Sequence, residues 1–179
     1  MFKMISDFFR KRRLKKYSSN IPTGFLPLQQ ISSANVVIDV EEPGFDVLKE
    51  DILAWGRQTG VKVSIFFFDF RKLGKDELLL TSIQTTLLKR ELDWLGTPSP
   101  DKIASLTDSP SDLFISLVDN GDFPIEFVGK CTKARFKIGR HEYEGHPYNM
   151  VVSGGKTEDL RSESRKVFAK ITELLTMVK

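Results

Sequence analysis

Asp112–Arg140, DLFISLVDNGDFPIEFVGKCTKARFKIGR, carries the signature of a βαβ unit. Leu113–Val118 is a short apolar, partly β-branched run, the pattern of a strand buried on both faces. It ends in Asp119-Asn120-Gly121-Asp122. Pro124 then opens a helix, tolerated there because the first turn's N–H groups have no intrahelical partner. Phe127, Val128, Cys131 and Ala134 line one side of that helix, and Lys130 and Lys133 occupy its last turns, where cations suit the helix dipole. Arg135–Ile138 returns as a strand and Gly139 breaks it. A strand, crossover helix and second strand within roughly thirty residues is the unit from which parallel sheets are built.

The same alternation recurs outward from it. Asn35–Val40 and Val61–Phe70 read as strands, the second with three consecutive Phe. Between them Pro43 and Gly44 open a helix with Phe45, Leu48, Ile52 and Trp55 on one face, and Gly60 closes it. Thr81–Leu88 fits either a strand or the middle of a helix over 76–95. Asp101–Leu106 fits a helical turn, Tyr148–Val152 a last strand, and Thr157–Val178 a long final helix with Thr157 as its N-cap. Strands alternating with helices predict a three-layer α/β domain, Rossmann-like or flavodoxin-like, with a mostly parallel sheet and helices on both faces. Residues 35–179 form that domain, 18–34 a Ser/Pro/Gly-bearing linker, and 1–17 a separate basic helix.

The charge distribution sets residues 1–17 apart. Residues 1–16 carry seven Lys/Arg against Asp7, net +6, while the remainder carries 20 Lys/Arg against 23 Asp/Glu, net −3. Apolar residues at 1, 2, 4, 5, 8 and 9 precede the basic cluster. A secretory signal has the reverse order, so that reading is set aside. The helix is expected to pack on its own domain or on a second copy, or to lie on a membrane surface with Lys/Arg on lipid phosphates. Nucleic acid ranks behind both, because the body of the chain is mildly acidic. Cys131 is the single cysteine in 179 residues. A reducing, cytoplasmic setting follows, with the inner membrane surface as the place for peripheral docking. No apolar run reaches the roughly 18 residues of a membrane span.

Candidate ligand positions cluster at predicted strand ends, where open α/β sheets bind ligands. They are Asp39, Asp69, Asp119 and Asn120, together with Ser153, Gly154, Gly155 and Lys156 before the final helix. Carboxylates there suit Mg²⁺ in front of a phosphate, and the glycines suit an anion at a helix N-terminus. The plainer reading is that Asp and Gly simply cap turns. Gly155-Lys156-Thr157 ends like a phosphate-binding loop, but that motif requires Gly where this chain has Met150. His141-Glu142-Tyr143-Glu144-Gly145-His146 reads as a solvated loop, since Gly145 and Pro147 oppose the helix a two-His metal site would need. Cys131 falls on a buried stripe. The sequence singles out no catalytic residue, metal site or cofactor.

The Asp112–Arg140 segment, with ELDWLGTP at Glu91–Pro98, resembles a family of small uncharacterised bacterial α/β proteins of the Bacteroidetes type. The resemblance covers roughly the last two-thirds of the chain. It implies the fold and carries no assigned activity or site residue. About thirty residues also resemble part of the N-terminal half of bacterial heptosyltransferases, which implies shared architecture alone. Together these readings describe a binding or interaction module with a docking helix. The alternative is an enzyme or sensor that takes a phosphorylated small molecule at the strand ends.

Overall fold

The computed structural model describes residues 2–72, 74, 78–154 and 163–177. Its helices are α1 (Phe2–Tyr17), α2 (Phe45–Thr59), α3 (Pro100–Thr107), α4 (Phe123–Cys131) and α5 (Glu163–Met177). Its strands are β1 (Ser33–Asp39), β2 (Lys62–Asp69), β3 (Thr86–Leu88), β4 (Ser111–Ser116), β5 (Ala134–Gly139) and β6 (Met150–Val151). All strand pairs are parallel, in the order β3-β2-β1-β4-β5-β6. The chain steps outward from β1 to β3, crosses back to β4, and then steps outward the other way.

That reversal dictates the layers. Right-handed crossovers in opposite directions deliver their helices to opposite faces. Accordingly Val36 and Ile38 of β1, with Leu113 and Ile115 of β4, pack with Leu48 and Ile52 of α2 and with Phe168 and Ile171 of α5. Val37 and Phe114 point the other way, into a second cluster with Ile103 of α3 and with Phe127 and Val128 of α4. Two-residue alternation along each strand feeds two cores, so both faces of the sheet must be apolar. The sheet is the expected three-layer α/β arrangement, with α1 added outside α4.

Several local expectations shift. Residues 81–88 form a turn and then the three-residue β3, paired Phe67↔Thr86, and no helix spans 78–95. The hydroxyls decide it: Thr86 Oγ1 donates to Ser82 O (2.6 Å) and Ser82 O also accepts from Thr85 N (3.1 Å). Local bonds of this kind compete with a helix ladder. The last strand is Met150–Val151 rather than Tyr148–Val152, because Tyr148 turns its ring onto β5. The final helix is described from Glu163, and the proposed N-cap Thr157 lies outside the described residues. The strand β1 takes in Ser33 and Ala34, and ahead of it Gly24 N donates to Arg135 O (2.9 Å) while Leu26 and Ile31 are core.

Helix α1 rests on α4, but with its sides reversed from the usual arrangement. Arg10 Nε donates to Leu95 O (2.9 Å), and its guanidinium sits 4.7 Å from the Phe123 ring centroid. Arg13 pairs with Asp93 (2.8 Å) and Lys11 with Glu144 (2.8 Å). Leu14 is the apolar contact with the second core. Met4, Ile5, Phe8 and Phe9 face solvent. The apolar positions at the start of the helix are therefore not what docks it.

Gly139 marks the closest packing on β5. A Cβ there would lie 2.2 Å from the Tyr148 ring, whereas one on Gly121 meets nothing within 4 Å. Gly139→Ala is expected to cost about 1–3 kcal/mol in urea unfolding, and Gly121→Ala less than about 0.5 kcal/mol.

Candidate functional site

Strand order reverses between β1 and β4, and the crevice beyond their carboxyl ends is where open α/β sheets place ligands. Here the chain itself fills it. The side chain that does so is Arg140, which directly follows β5 and is 1% exposed. Its Nη1 donates to Ser164 Oγ (2.7 Å) and Leu117 O (3.3 Å). Its Nη2 donates to Asp119 Oδ2 (2.9 Å) and lies 3.2 Å from Glu163 Oε1. Glu42, in the turn after β1, accepts from Ser164 N (3.0 Å) and from the Ser164 hydroxyl. One guanidinium thus joins the ends of β4 and β5 to α5, and Ser164 extends the joint to the β1 turn.

Asp119 and Gly154 meet at this joint. Glu163 approaches Gly154 so closely that a Cβ on Gly154 would overlap its carboxylate. Asp119 Oδ1 lies 2.7 Å from His141 Nε2, out of line for a hydrogen bond. Asn120 shapes the turn: its Oδ1 accepts from Asp122 N (3.1 Å) and its carbonyl from the Tyr143 hydroxyl (2.8 Å). Ser153 is exposed beside Gly154, and Gly155 and Lys156 lie outside the described residues.

Asp39 and Asp69 stand at the ends of the neighbouring strands β1 and β2, in opposite electrostatic states. Asp69 is 0% exposed and accepts from Arg71 Nε (2.8 Å) and Nη2 (2.7 Å). That bidentate pair holds its carboxyl below the usual carboxylate range. Asp39 accepts from Glu41 N (2.8 Å) and has no cationic partner among the described residues. Burial, reinforced by Glu41, Glu42 and Asp69, pushes it up to about 6. Among the described residues no group of three His, Cys, Asp or Glu is set to hold a metal ion. The Cys131 thiol is pushed up to about 12 by burial, so it is protonated and unreactive at neutral pH.

Sequence reasoning missed Arg140, Glu42, Glu163 and Ser164, whose roles depend on strand order. It also missed Lys137, which is buried in β5 and donates to Gly129 O (2.8 Å) near the end of α4. Desolvation pulls that ammonium down to about 8. A Lys between Phe136 and Ile138 in a buried strand was the available signal.

The fold and this edge define a parallel α/β domain in the strand order of dinucleotide-binding proteins, without their glycine-rich first turn. The turn after β1 is Asp39-Val-Glu-Glu-Pro-Gly44, whose three acids repel a pyrophosphate rather than cradle it. Residues 6–169 match the model of a family of unknown function, DUF6913, and the chain belongs to that family. No curated protein and no solved structure matches it.

Two outcomes test the electrostatics of this edge. Arg140→Met leaves Asp119, Glu163 and Glu42 without their buried cation and is expected to lower unfolding free energy by about 3–5 kcal/mol. Asp39 binds its proton more tightly in the folded state than in the unfolded chain. Its contribution is therefore lost as pH rises from about 4 to about 6, and above that window its carboxylate is a net cost. Asp39→Asn is expected to raise stability by about 1–2 kcal/mol at pH 7.5, allowing for partial screening, with the difference vanishing near pH 4 in parallel urea titrations.

Proposed function

We propose that this protein is a peripheral binding module that docks through α1 on an anionic lipid surface, the cytoplasmic face of a bacterial inner membrane. The observation that carries this reading is the inverted seating of α1. Its domain-facing side is built from Asp7, Arg10, Arg13 and Leu14, whereas Met4 is 79% and Phe8 62% exposed. Trp94, 67% exposed, stands edge-on to Phe9 with ring centroids 6.1 Å apart and extends the apolar patch. Contiguous exposed aromatic surface of this kind marks an interaction site.

The charges choose the partner. Lys11, Arg12, Lys15 and Lys16 follow the apolar turns and are exposed, and α1's one acid, Asp7, is drawn in toward the domain. A two-fold contact between copies would set this basic face against itself, which like-charge repulsion opposes. A lipid headgroup layer accepts both parts, with Phe and Met at the acyl boundary and cations on phosphates, each worth about 1 kcal/mol. Behind α1 lies an open groove of about 600 Å³, lined across from it by Glu126 and Lys130 and bridged by the Lys11–Glu144 pair. Beside Leu14, Tyr17 and Arg10, the helix is held by ion pairs at its rim that salt screens. No described helix is long and apolar enough to cross a membrane.

Co-sedimentation with phosphatidylglycerol/phosphatidylcholine vesicles tests the reading. The full chain is expected to pellet with these vesicles, to stay in solution with phosphatidylcholine alone, and to be released by raised salt. Phe8→Asp/Phe9→Asp and Lys15→Glu/Lys16→Glu should each abolish pelleting without loss of fold, since all four side chains are exposed. Equal partitioning of the wild type and both variants sinks the proposal. A dimer in light scattering that Phe8→Asp/Phe9→Asp dissolves would assign the patch to a second copy instead.

A further inference from the structure

We propose that the cavity at the carboxyl ends of β2 and β3 binds a phosphate-bearing small molecule through Lys72, Lys89 and Arg90. The site uses no residue of α1 and is independent of membrane docking. The cavity has a volume of about 230 Å³ and is lined by these three cations with Arg71, Asp69 and Leu88. Its single acid is already engaged, because buried Asp69 holds the Arg71 guanidinium through Nε and Nη2. That contact commits Nε and Nη2 of Arg71 to the protein itself.

Among the described residues, the acid next to Lys89 and Arg90 in sequence is turned elsewhere. Lys89 and Arg90 lie on a short helical turn with Glu91, whose carboxylate pairs with Lys102 (2.9 Å) and accepts from Leu88 N (2.8 Å). Among the described residues no carboxylate pairs with Lys72, Lys89 or Arg90. Asp69 compensates Arg71, and the three remaining cations lining one small cavity repel each other, a repulsion that a multivalent anion relieves. Phosphate fits best: the Arg90 fork matches its oxygens bidentately, and Lys72 and Lys89 add point charges. The volume is below the roughly 300 Å³ at which drug-sized sites begin, so it suits a phosphate or pyrophosphate head with a small attached group. The place is also where this architecture presents ligands, beyond the carboxyl ends of parallel strands.

The test uses inorganic pyrophosphate on the full chain, with chloride added to matched ionic strength. Millimolar pyrophosphate is expected to raise the Tm by about 3–6 °C. In calorimetric titration, Lys89→Glu/Arg90→Glu should weaken the affinity at least about tenfold. Both side chains are exposed, so this variant should keep the ligand-free Tm of the wild type. Arg12→Glu/Lys16→Glu, on α1, should bind pyrophosphate as the wild type does. No shift in the wild type beyond matched chloride overturns the proposal. So does an undiminished affinity in Lys89→Glu/Arg90→Glu, or a loss confined to Arg12→Glu/Lys16→Glu.

Discussion

The Arg140 guanidinium is the constraint on which the carboxyl-terminal edge of the sheet depends. A cation at 1% exposure is tolerable only when carboxylates and carbonyls surround it, and here Asp119, Glu163, Ser164 and Leu117 O do so. Those partners come from the β4 end and α5, and Ser164 brings in Glu42 from the β1 turn. The helix that closes the fold is thus joined to the strands by one polar network as well as by its apolar stripe. The network occupies the crevice where a related architecture would hold a nucleotide. Such a buried ion cluster stabilises little relative to an apolar filling, but it is costly to leave incomplete. It therefore specifies how α5 is seated on the strands more than it adds stability.

Helix α1 shows the opposite balance. Its polar links to the domain are a carbonyl hydrogen bond, a cation over a ring and two partly or fully exposed ion pairs, each worth a fraction of a kcal/mol to about 1 kcal/mol. Leu14, Tyr17 on Phe127 and Phe9 on Trp94 add apolar contact. Met4, Ile5 and Phe8 stay exposed rather than joining that seat. A helix that spends its polar side on its own domain and keeps its rings in water has more to gain from a second surface than from tighter packing. This is the physical content of the docking reading.

The legible part of the fold was the part written in local pattern. Asp112–Arg140 announced β4, α4 and β5 because apolar runs, Pro124 and Gly139 act within a few residues of themselves. Gly60, at φ 76°, closed α2 as its freedom in the left-handed region allows. Strand order was not legible, because pairing is decided by which apolar faces meet across the sheet. Arg140 was therefore invisible as a hub: Glu163 and Ser164 reach it only once β5 sits beside β4. The short β3 was obscured by Thr and Ser residues that serve a turn and a strand alike. The seating of α1 inverted because Arg10 found a carbonyl and an aromatic face, contacts that an apolar-stripe argument does not weigh. Among the candidate residues, the sequence placed Asp39, Asp69 and Asp119 on strand ends. It did not show that two of them would carry arginines while Asp39 carried none.

That difference organises the whole edge. Among the described residues, the side-chain charges change from acidic to basic between the β1 turn and β3. Asp39, Glu41 and Glu42 crowd the first turn, and the Asp39 carboxyl titrates near 6 because Asp69 and its acidic neighbours add to its burial. One strand further, Arg71 neutralises Asp69, and Lys72, Lys89 and Arg90 make the surroundings positive. In dinucleotide-binding sheets the anion is drawn to the turn after the first strand, where glycines let backbone N–H groups reach it. In this chain that turn repels anions, and the neighbouring edge attracts them. An anionic ligand approaching the strand ends is therefore displaced by electrostatics alone from the switch point toward β2 and β3. The acids at β1 help to aim it there, since repulsion on one side of a small site narrows the poses that attraction on the other side allows.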